Sequence, residues 1–266
     1  MTISIITVCY NSAACIQTAL DSILQQTWSD YEYVVVDGGS TDGTVDILRA
    51  VESKYNGRMR WISERDEGMY DAINKGIKMA TGEVVGILNA DDFLMDEHVI
   101  ARVAEAFKSP IDALYGDIRF VVSDENTVQS LSQLQAAKTV RYYSAKNWKP
   151  WMLQWGYMPP HPSVYIRRSL FYRLGFYKLG YHIAADYELL IRYLRKANLK
   201  LQYLPCCMVG MRMGGKSTKN WRSNLLLNQE IVRGNRENGY ACCLPMLVPK
   251  YVFKIWEFIL PKLFVK

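Results

Sequence analysis

The sequence predicts an α/β fold: a mostly parallel sheet flanked by helices, with a helical extension at the C-terminal end. Three observations predict it. Short β-branched runs alternate with helical patterns over the first hundred of 266 residues, the order in which βαβ units are built. Each β run stops at a polar cluster. The composition, 50% hydrophobic and 22% charged, fills a core for one large domain or two small ones. It excludes a mainly disordered chain, and 17 glycines and 9 prolines spread without a repeat exclude collagenous, coiled-coil and low-complexity classes.

Taken in order, Ile3–Cys9 reads as a strand and Ala13–Gln26 as a helix. Tyr31–Val36 is the second strand, Thr44–Tyr55 the second helix, Met59–Ser63 the third strand, Tyr70–Ala80 a helix and Val84–Leu88 a buried fourth strand. The strands end at Tyr10-Asn11, Asp37-Gly38-Gly39-Ser40, Glu64-Arg65-Asp66 and Asn89-Ala90-Asp91-Asp92. In an open α/β sheet the carboxyl ends of strands are where ligands bind, so four polar clusters converge on one edge. Beyond residue 100 the pattern loosens: a helix near Glu97–Lys108, strand near Ala113–Val122, an irregular aromatic stretch from Tyr142 to Pro162, a helix over Ala184–Ala197, one or two strands over Leu199–Met211 and a polar helix over Lys216–Asn238.

The net charge of +6 hides an asymmetry. Residues 1–100 carry 7 basic and 16 acidic side chains, and residues 101–266 carry 25 basic and 10 acidic. An acidic half suited to a metal ion thus faces a half suited to phosphates or a membrane surface. No nucleic-acid motif accompanies the basic half. The six cysteines include the adjacent pairs Cys206-Cys207 and Cys242-Cys243, which fit neither local bridges nor a CxxC knuckle, so reduced thiols and a cytoplasmic chain are expected. The apolar run at the first residues lacks the basic leader and length of a secretory signal.

Three constellations carry chemistry. Asp37 to Thr44 combines a strand-end carboxylate, a glycine turn and the capping residues Thr41 and Asp42; capping explains the second part and leaves Asp37 free for a ligand. The first strand lacks a GxGxxG, which argues against a dinucleotide site. Asp91 and Asp92 stand side by side at the mouth of a buried strand, where they either cap the next helix or hold a cation; all-oxygen ligands suit Mg²⁺ or Mn²⁺ held jointly with substrate phosphates. Asp71 and Lys75 lie four apart on one helix face, which alone is a surface ion pair.

These residues together, Ile5-Ile6-Thr7-Val8-Cys9-Tyr10-Asn11, Val35 to Thr44, Asp66 to Gly76 and Asn89-Ala90-Asp91-Asp92, closely resemble family 2 glycosyltransferases of the GT-A fold. Ala185-Asp186-Tyr187-Glu188-Leu189 is similar to the family's ED motif with Ala185 in place of the usual Glu, and Asn89 stands where many members have Asp. His161-Pro162-Ser163 and Gly214-Gly215-Lys216-Ser217 also occur in similar bacterial members. The resemblance covers roughly residues 3–220 and implies one catalytic domain there, a nucleotide-binding half at 1–110 and an acceptor half at 111–220, followed by a C-terminal segment at 221–266.

By position, it implies that Thr7, Tyr10, Asn11 and Asp37 hold the uridine of a nucleotide sugar, that Asp66 makes a further base contact and Lys75 a polar contact near the nucleotide, that Asp91 is the ribose-side carboxylate, and that Asn89 belongs to the same nucleotide-sugar site. Asp92 then matches a ligand of Mn²⁺ or Mg²⁺, and Asp186 the general base of an inverting transfer to an acceptor hydroxyl. Asp186 also sits where a helix begins, so an N-cap is the competing reading, and a helix start favours its ionised form. His161, His182 and Lys216 fall where acceptor or phosphate contacts belong; for Lys216 a solvated basic face competes. Trp148, Trp151 and Trp155 can stack on sugars, but aromatic runs more often fill a core, and core is the expectation. His98 reads as a surface residue.

The segment Pro245–Lys266 sets apolar and aromatic residues among four lysines, with uncharged stretches shorter than the roughly 20 residues of a membrane span. It reads as an interfacial segment on an anionic leaflet, a homodimer helix being the alternative. The expected partners are a nucleotide-sugar donor, a glycan or polyprenyl-diphosphate-linked acceptor and a membrane surface, in the manner of bacterial O-antigen, capsule or exopolysaccharide enzymes. A sugar-nucleotide nucleotidyltransferase shares such a sheet but carries a glycine- and lysine-rich phosphate loop after the first strand, absent here. A non-catalytic glycan-binding protein needs neither Asp92 nor Asp186.

Overall fold

A computed structural model describes residues 1–122, 130–213 and 221–251. Nine strands in the described residues form one mixed sheet. Its first half is parallel: β1 (Ile3–Cys9), β2 (Tyr31–Asp37), β3 (Met59–Ser63) and β4 (Val84–Ile87) lie in the order β3-β2-β1-β4. Every residue of β1, β2 and β4 is buried, which is why these strands read as near-continuous apolar runs. The alternation along β1 divides the core. Ile6 and Val8 join Val34 and Val36 beneath α3 (Met69–Met79), while Ile3, Ile5 and Cys9 join Tyr33 and Val35 beneath α1 (Ile16–Leu24).

Beyond β4 the sheet continues through β8 (Tyr165–Arg167), which runs antiparallel to both β4 and β6 (Ala113–Val121). β9 (Leu201–Arg212) lies parallel to β6, and the two-residue β5 (Phe93–Leu94) closes the far edge; β7 (Thr139–Tyr143) pairs with the distal part of β6. Sequence periodicity misses β5 and β7, too short or too irregular to show a pattern, and misses the short helices α5 (Leu131–Ala136) and α6 (Ser169–Leu174). The remaining helices are α2 (Thr44–Val51), α4 (Val99–Ala106), α7 (Ala185–Leu190) and α8 (Trp221–Glu237).

Two expected elements change form. The helix expected to begin at Ala13 begins at Ile16, because the Ser12 and Ala13 N–H groups donate to Thr44 Oγ1 and the Asp42 carboxylate, 2.8 and 2.9 Å away, and so belong to the loop. The helix expected over 184–197 is α7 followed by a π-helical turn, Ile191–Lys196. The tryptophan run divides as well. Trp148 is buried against Tyr115, whereas Trp151 and Trp155 are exposed, so only the first is core. All six cysteines are unpaired. Among the described residues no helix is long and apolar enough to cross a membrane.

Candidate active site

The carboxyl ends of β1, β2 and β3 bring the first cluster together. Asn11 adopts a positive φ of 49° and ties the loops: its N–H donates to Ser40 Oγ at 2.7 Å and its side-chain oxygen accepts the Thr41 N–H at 2.9 Å. Gly38 packs so closely that a Cβ there would lie 2.7 Å from Asp66 Oδ2 and 3.4 Å from the Tyr10 ring. Tyr10 is 57% exposed, leaving its face open to a planar ligand. Asp66 accepts the Gly68 N–H at 2.9 Å, and Lys75 bridges Glu64 and Asp71 while donating to the Arg65 carbonyl, so it braces the loop that presents Asp66.

Two residues of the expected nucleotide site lie deeper. Asp37 is fully buried and accepts hydrogen bonds from Ser63 Oγ at 2.6 Å, the Ser40 hydroxyl, and the Gly39 and Ser40 N–H groups. Burial opposes its charge, but these donors outweigh burial and hold its carboxyl below the usual range. In this structure Asp37 organises the turn that carries Gly38. Thr7 is also fully buried, and its hydroxyl accepts from Tyr33 at 2.9 Å within the core, apart from the rim formed by Tyr10 and Asp66.

The second cluster follows β4. Asp92 is buried, and its carboxylate accepts the Asn89 side-chain amide at 2.8 Å, so Asn89 serves Asp92 directly. Burial above all, and then the adjacent Asp91, push the Asp92 carboxyl well above the usual range, with Asn89 and Arg212 opposing. Neither aspartate caps the next helix: Asp96 accepts the His98 N–H there at 2.8 Å, and His98 is exposed. A buried carboxylate beside a second one, met by the Asn89 amide, is a donor set that could hold a divalent cation. Among the described residues no group of three or more His, Cys, Asp or Glu is placed to hold a metal ion. Arg212, at the end of β9, adds positive charge here and donates to Thr18 Oγ1 at 2.5 Å. It precedes the Gly214-Gly215-Lys216-Ser217 run, its only signal in the sequence. Lys216 itself lies outside the described residues.

The third cluster surrounds Asp186, which is in the first turn of α7; the N-cap is Ala184. Asp186 Oδ1 accepts the Tyr187 N–H at 2.8 Å and lies 3.4 Å from the Tyr70 hydroxyl at the start of α3, directly after the Asp66 loop. The helix start was expected to favour the ionised form, but burial dominates and raises the Asp186 carboxyl, with His161 and the hydrogen bonds opposing. His161 follows Pro160 in a short turn packed against β4; burial pushes its imidazole below the usual range. Its Nε2 lies 2.6 Å from the Tyr177 hydroxyl, and Tyr177 stacks on Tyr70. His182 is exposed and contributes its backbone N–H to Glu230. Tyr70, Tyr177 and Glu230 had no signal in the sequence. The raised Asp186 carboxyl thus lies beside the start of α3, which follows the carboxyl end of β3, while the Asp91-Asp92 pair follows β4. A separate cleft of about 480 Å³, lined by Thr81, Gly82, Arg167, Arg168 and Tyr172, lies at the opposite end of β4 and includes none of these residues.

The model of glycosyl transferase family 2 matches residues 4–175. A PGL/p-HBAD biosynthesis glycosyltransferase of Mycobacterium bovis is 33% identical over 203 residues, covering 76% of this chain and 73% of the relative. Among solved structures, the mannosyltransferase PcManGT of Pyrobaculum calidifontis in complex with GDP-Man and Mn²⁺ superposes with a TM-score of 0.64 at 22% identity, over 98% of this chain and 72% of that one. S. aureus TarS in complex with UDP-GlcNAc superposes with a TM-score of 0.63 at 18% identity, over 100% of this chain and 76% of that one. A longer TarS chain is covered over 40% of its length.

Proposed function

The chain belongs to glycosyl transferase family 2 and is a glycosyltransferase with a GT-A fold, and from that premise we propose that it is an inverting enzyme transferring a sugar from a UDP-sugar to a glycan hydroxyl. The observation that carries this reading is the pair of differently built carboxylate sites: Asp91-Asp92 after β4 and Asp186 beside Tyr70.

In this reading Tyr10 and Asp66 receive the base on the rim that the Asp37 turn and Asn11 hold in place. Asp92, oriented by Asn89 and accompanied by Asp91, would hold Mn²⁺ or Mg²⁺. When bound, the cation neutralises charge on the departing diphosphate. The acceptor oxygen forms a bond to the anomeric carbon as the bond from that carbon to the diphosphate oxygen breaks, and the hydroxyl proton passes to an Asp186 oxygen. Attack opposite the leaving group inverts the anomeric configuration. The raised carboxyl of Asp186 makes it a stronger base than an ordinary aspartate. His161 and Tyr177 form the acceptor side of this base. The acceptor is a lipid-linked glycan reached at the cytoplasmic face of a membrane, a reading supported by the basic second half and by the exposed Trp151, Trp155, Val248 and Tyr251.

The test is nucleoside diphosphate release by the purified chain from UDP-GlcNAc, UDP-glucose, UDP-galactose and GDP-mannose, with Mn²⁺ and a panel of octyl glycosides. Release from a UDP-sugar, abolished by EDTA and lowered at least about 100-fold by Asp92→Asn, is expected. Pyrophosphate release from UTP and a sugar phosphate, or glycan binding without turnover, would sink the proposal in favour of a nucleotidyltransferase or a glycan-binding protein.

A further inference from the structure

The residues just before the base are held by a carboxylate from a distant helix. Glu230, in α8, is buried. Its Oε1 accepts the His182 N–H at 2.7 Å, and its Oε2 accepts the Ile183 and Ala184 N–H groups at 2.9 and 2.8 Å. Three consecutive backbone donors therefore converge on one side chain, and Asp186 follows two residues later. From the other side the Tyr70 hydroxyl donates to the Ile183 carbonyl at 2.5 Å. The segment 182–184 is thus gripped by α8 through its N–H groups and by α3 through a carbonyl.

The same helix holds α7 a second time. Asn238, just past the end of α8, donates to Glu188 Oε1 at 3.1 Å, and Glu188 is fully buried with the Arg192 guanidinium and Lys178 on its oxygens. Both contacts lie beyond residue 175, where the family match ends, so α8 joins the catalytic unit through bonds that the match does not include.

We infer that Glu230 is the positioning residue of Asp186, fixing the base carboxylate against Tyr70 and the acceptor hydroxyl. The inference rests on the reading of Asp186 as the base. Charge-assisted bonds to backbone N–H are stronger than neutral ones, and a carboxamide at this position turns an N–H group toward donors that need an acceptor. Displacement of a catalytic group by about 1 Å costs on the order of 100-fold in rate. Donor binding is left intact, because Tyr10, Asp66 and Asp92 lie on other elements.

The experiment is a double-mutant cycle in the full chain, using the donor and octyl glycoside that turn over in the assay above. Glu230→Gln lowers kcat about 10- to 100-fold with the donor KM unchanged. On an Asp186→Asn background, however, it has no further effect on the residual rate, since a positioning residue acts only through the group it positions. Glu230→Asp keeps both acceptor oxygens but withdraws them by one methylene; it gives a smaller loss with the same non-additivity, and it carries the cycle should Glu230→Gln not fold. Full kcat in a folded Glu230→Gln enzyme, or losses that multiply on the Asp186→Asn background, overturns the inference while leaving the base assignment standing. Full turnover by Asp186→Asn overturns the base assignment itself, whatever Glu230 does.

Discussion

As the proposed base, Asp186 has to be deprotonated to accept a proton, yet burial raises its carboxyl above the usual range, with His161 and the Tyr187 N–H pulling the other way. The sign is fixed: the active form is lost as pH falls through this raised value, at pH values where an ordinary aspartate near 3.9 is still ionised. The acid limb of a kcat pH profile is expected above that ordinary value, and Asp186→Asn removes the limb and lowers kcat by about 10²- to 10⁴-fold. A profile flat down to pH 4 would exclude Asp186 as the titrating base. Asp91 and Asp92 stand out in the sequence because adjacent carboxylates follow an apolar run, whereas Asp186 stands out only through its resemblance to the ED motif, its position alone favouring an N-cap. Tyr70, Tyr177 and Glu230 do not stand out, since each has the surroundings of an ordinary helix or loop residue and acquires its role only when distant segments meet. The depth of Asp37 and Thr7 was hidden for a related reason: sequence places a residue along a strand but does not reveal which donors the next loop turns back onto it.

At the scale of elements, the site edge depends on how closely α3 lies on β1. Gly76 faces the strand directly, and a Cβ there would come within 2.5 Å of Ile6 Cγ2. Alanine is favoured over glycine in a helix interior by about 1 kcal/mol, whereas overpacking a tight core costs about 1–3 kcal/mol. Gly76→Ala is therefore expected to destabilise by about 0–2 kcal/mol net. Because α3 carries Tyr70 at its start, it also lowers kcat. Chemical denaturation and the transfer assay check the two effects together; a stabilised variant would show that α3 shifts freely on the sheet, against the close packing described. The parallel half of the sheet was readable almost to the residue, because buried parallel strands and amphipathic helices carry strong periodic patterns. In the second half β6 and β9 were read close to their bounds, but β5 and β7 were not: β5 has two residues, too few for any period, and what fixes it is pairing with Gly210 and Val209.

For the whole molecule, the two exposed tryptophans adjoin the C-terminal turn rather than the catalytic edge. Gln154 Nε2 donates to the Ala241 carbonyl, and Gly156 packs against Leu247 and the Lys250 stem, so the stretch bearing Trp151 and Trp155 sits beside Leu244, Val248 and Tyr251, all exposed. Aromatic and aliphatic surface flanked by Lys149 and Lys250 suits the headgroup region of an anionic bilayer. Residues 252–266 lie outside the described residues; their sequence carries Phe253, Trp256, Phe258 and Phe264 with three more lysines. Leu247 is buried, so the deletion that tests anchoring starts after Tyr251 and leaves Leu247 in place. Removing residues 252–266 is expected to move the protein from the pellet to the supernatant when it is sedimented with vesicles containing phosphatidylserine, with melting temperature and release of nucleoside diphosphate to soluble octyl glycosides retained. Binding by the full chain weakens as salt is raised, because each lysine near an anionic surface contributes on the order of 1 kcal/mol that ions screen. An unchanged distribution after the deletion, joined with a concentration-dependent change in sedimentation of the free protein, would identify the segment as a contact between two copies of the chain instead.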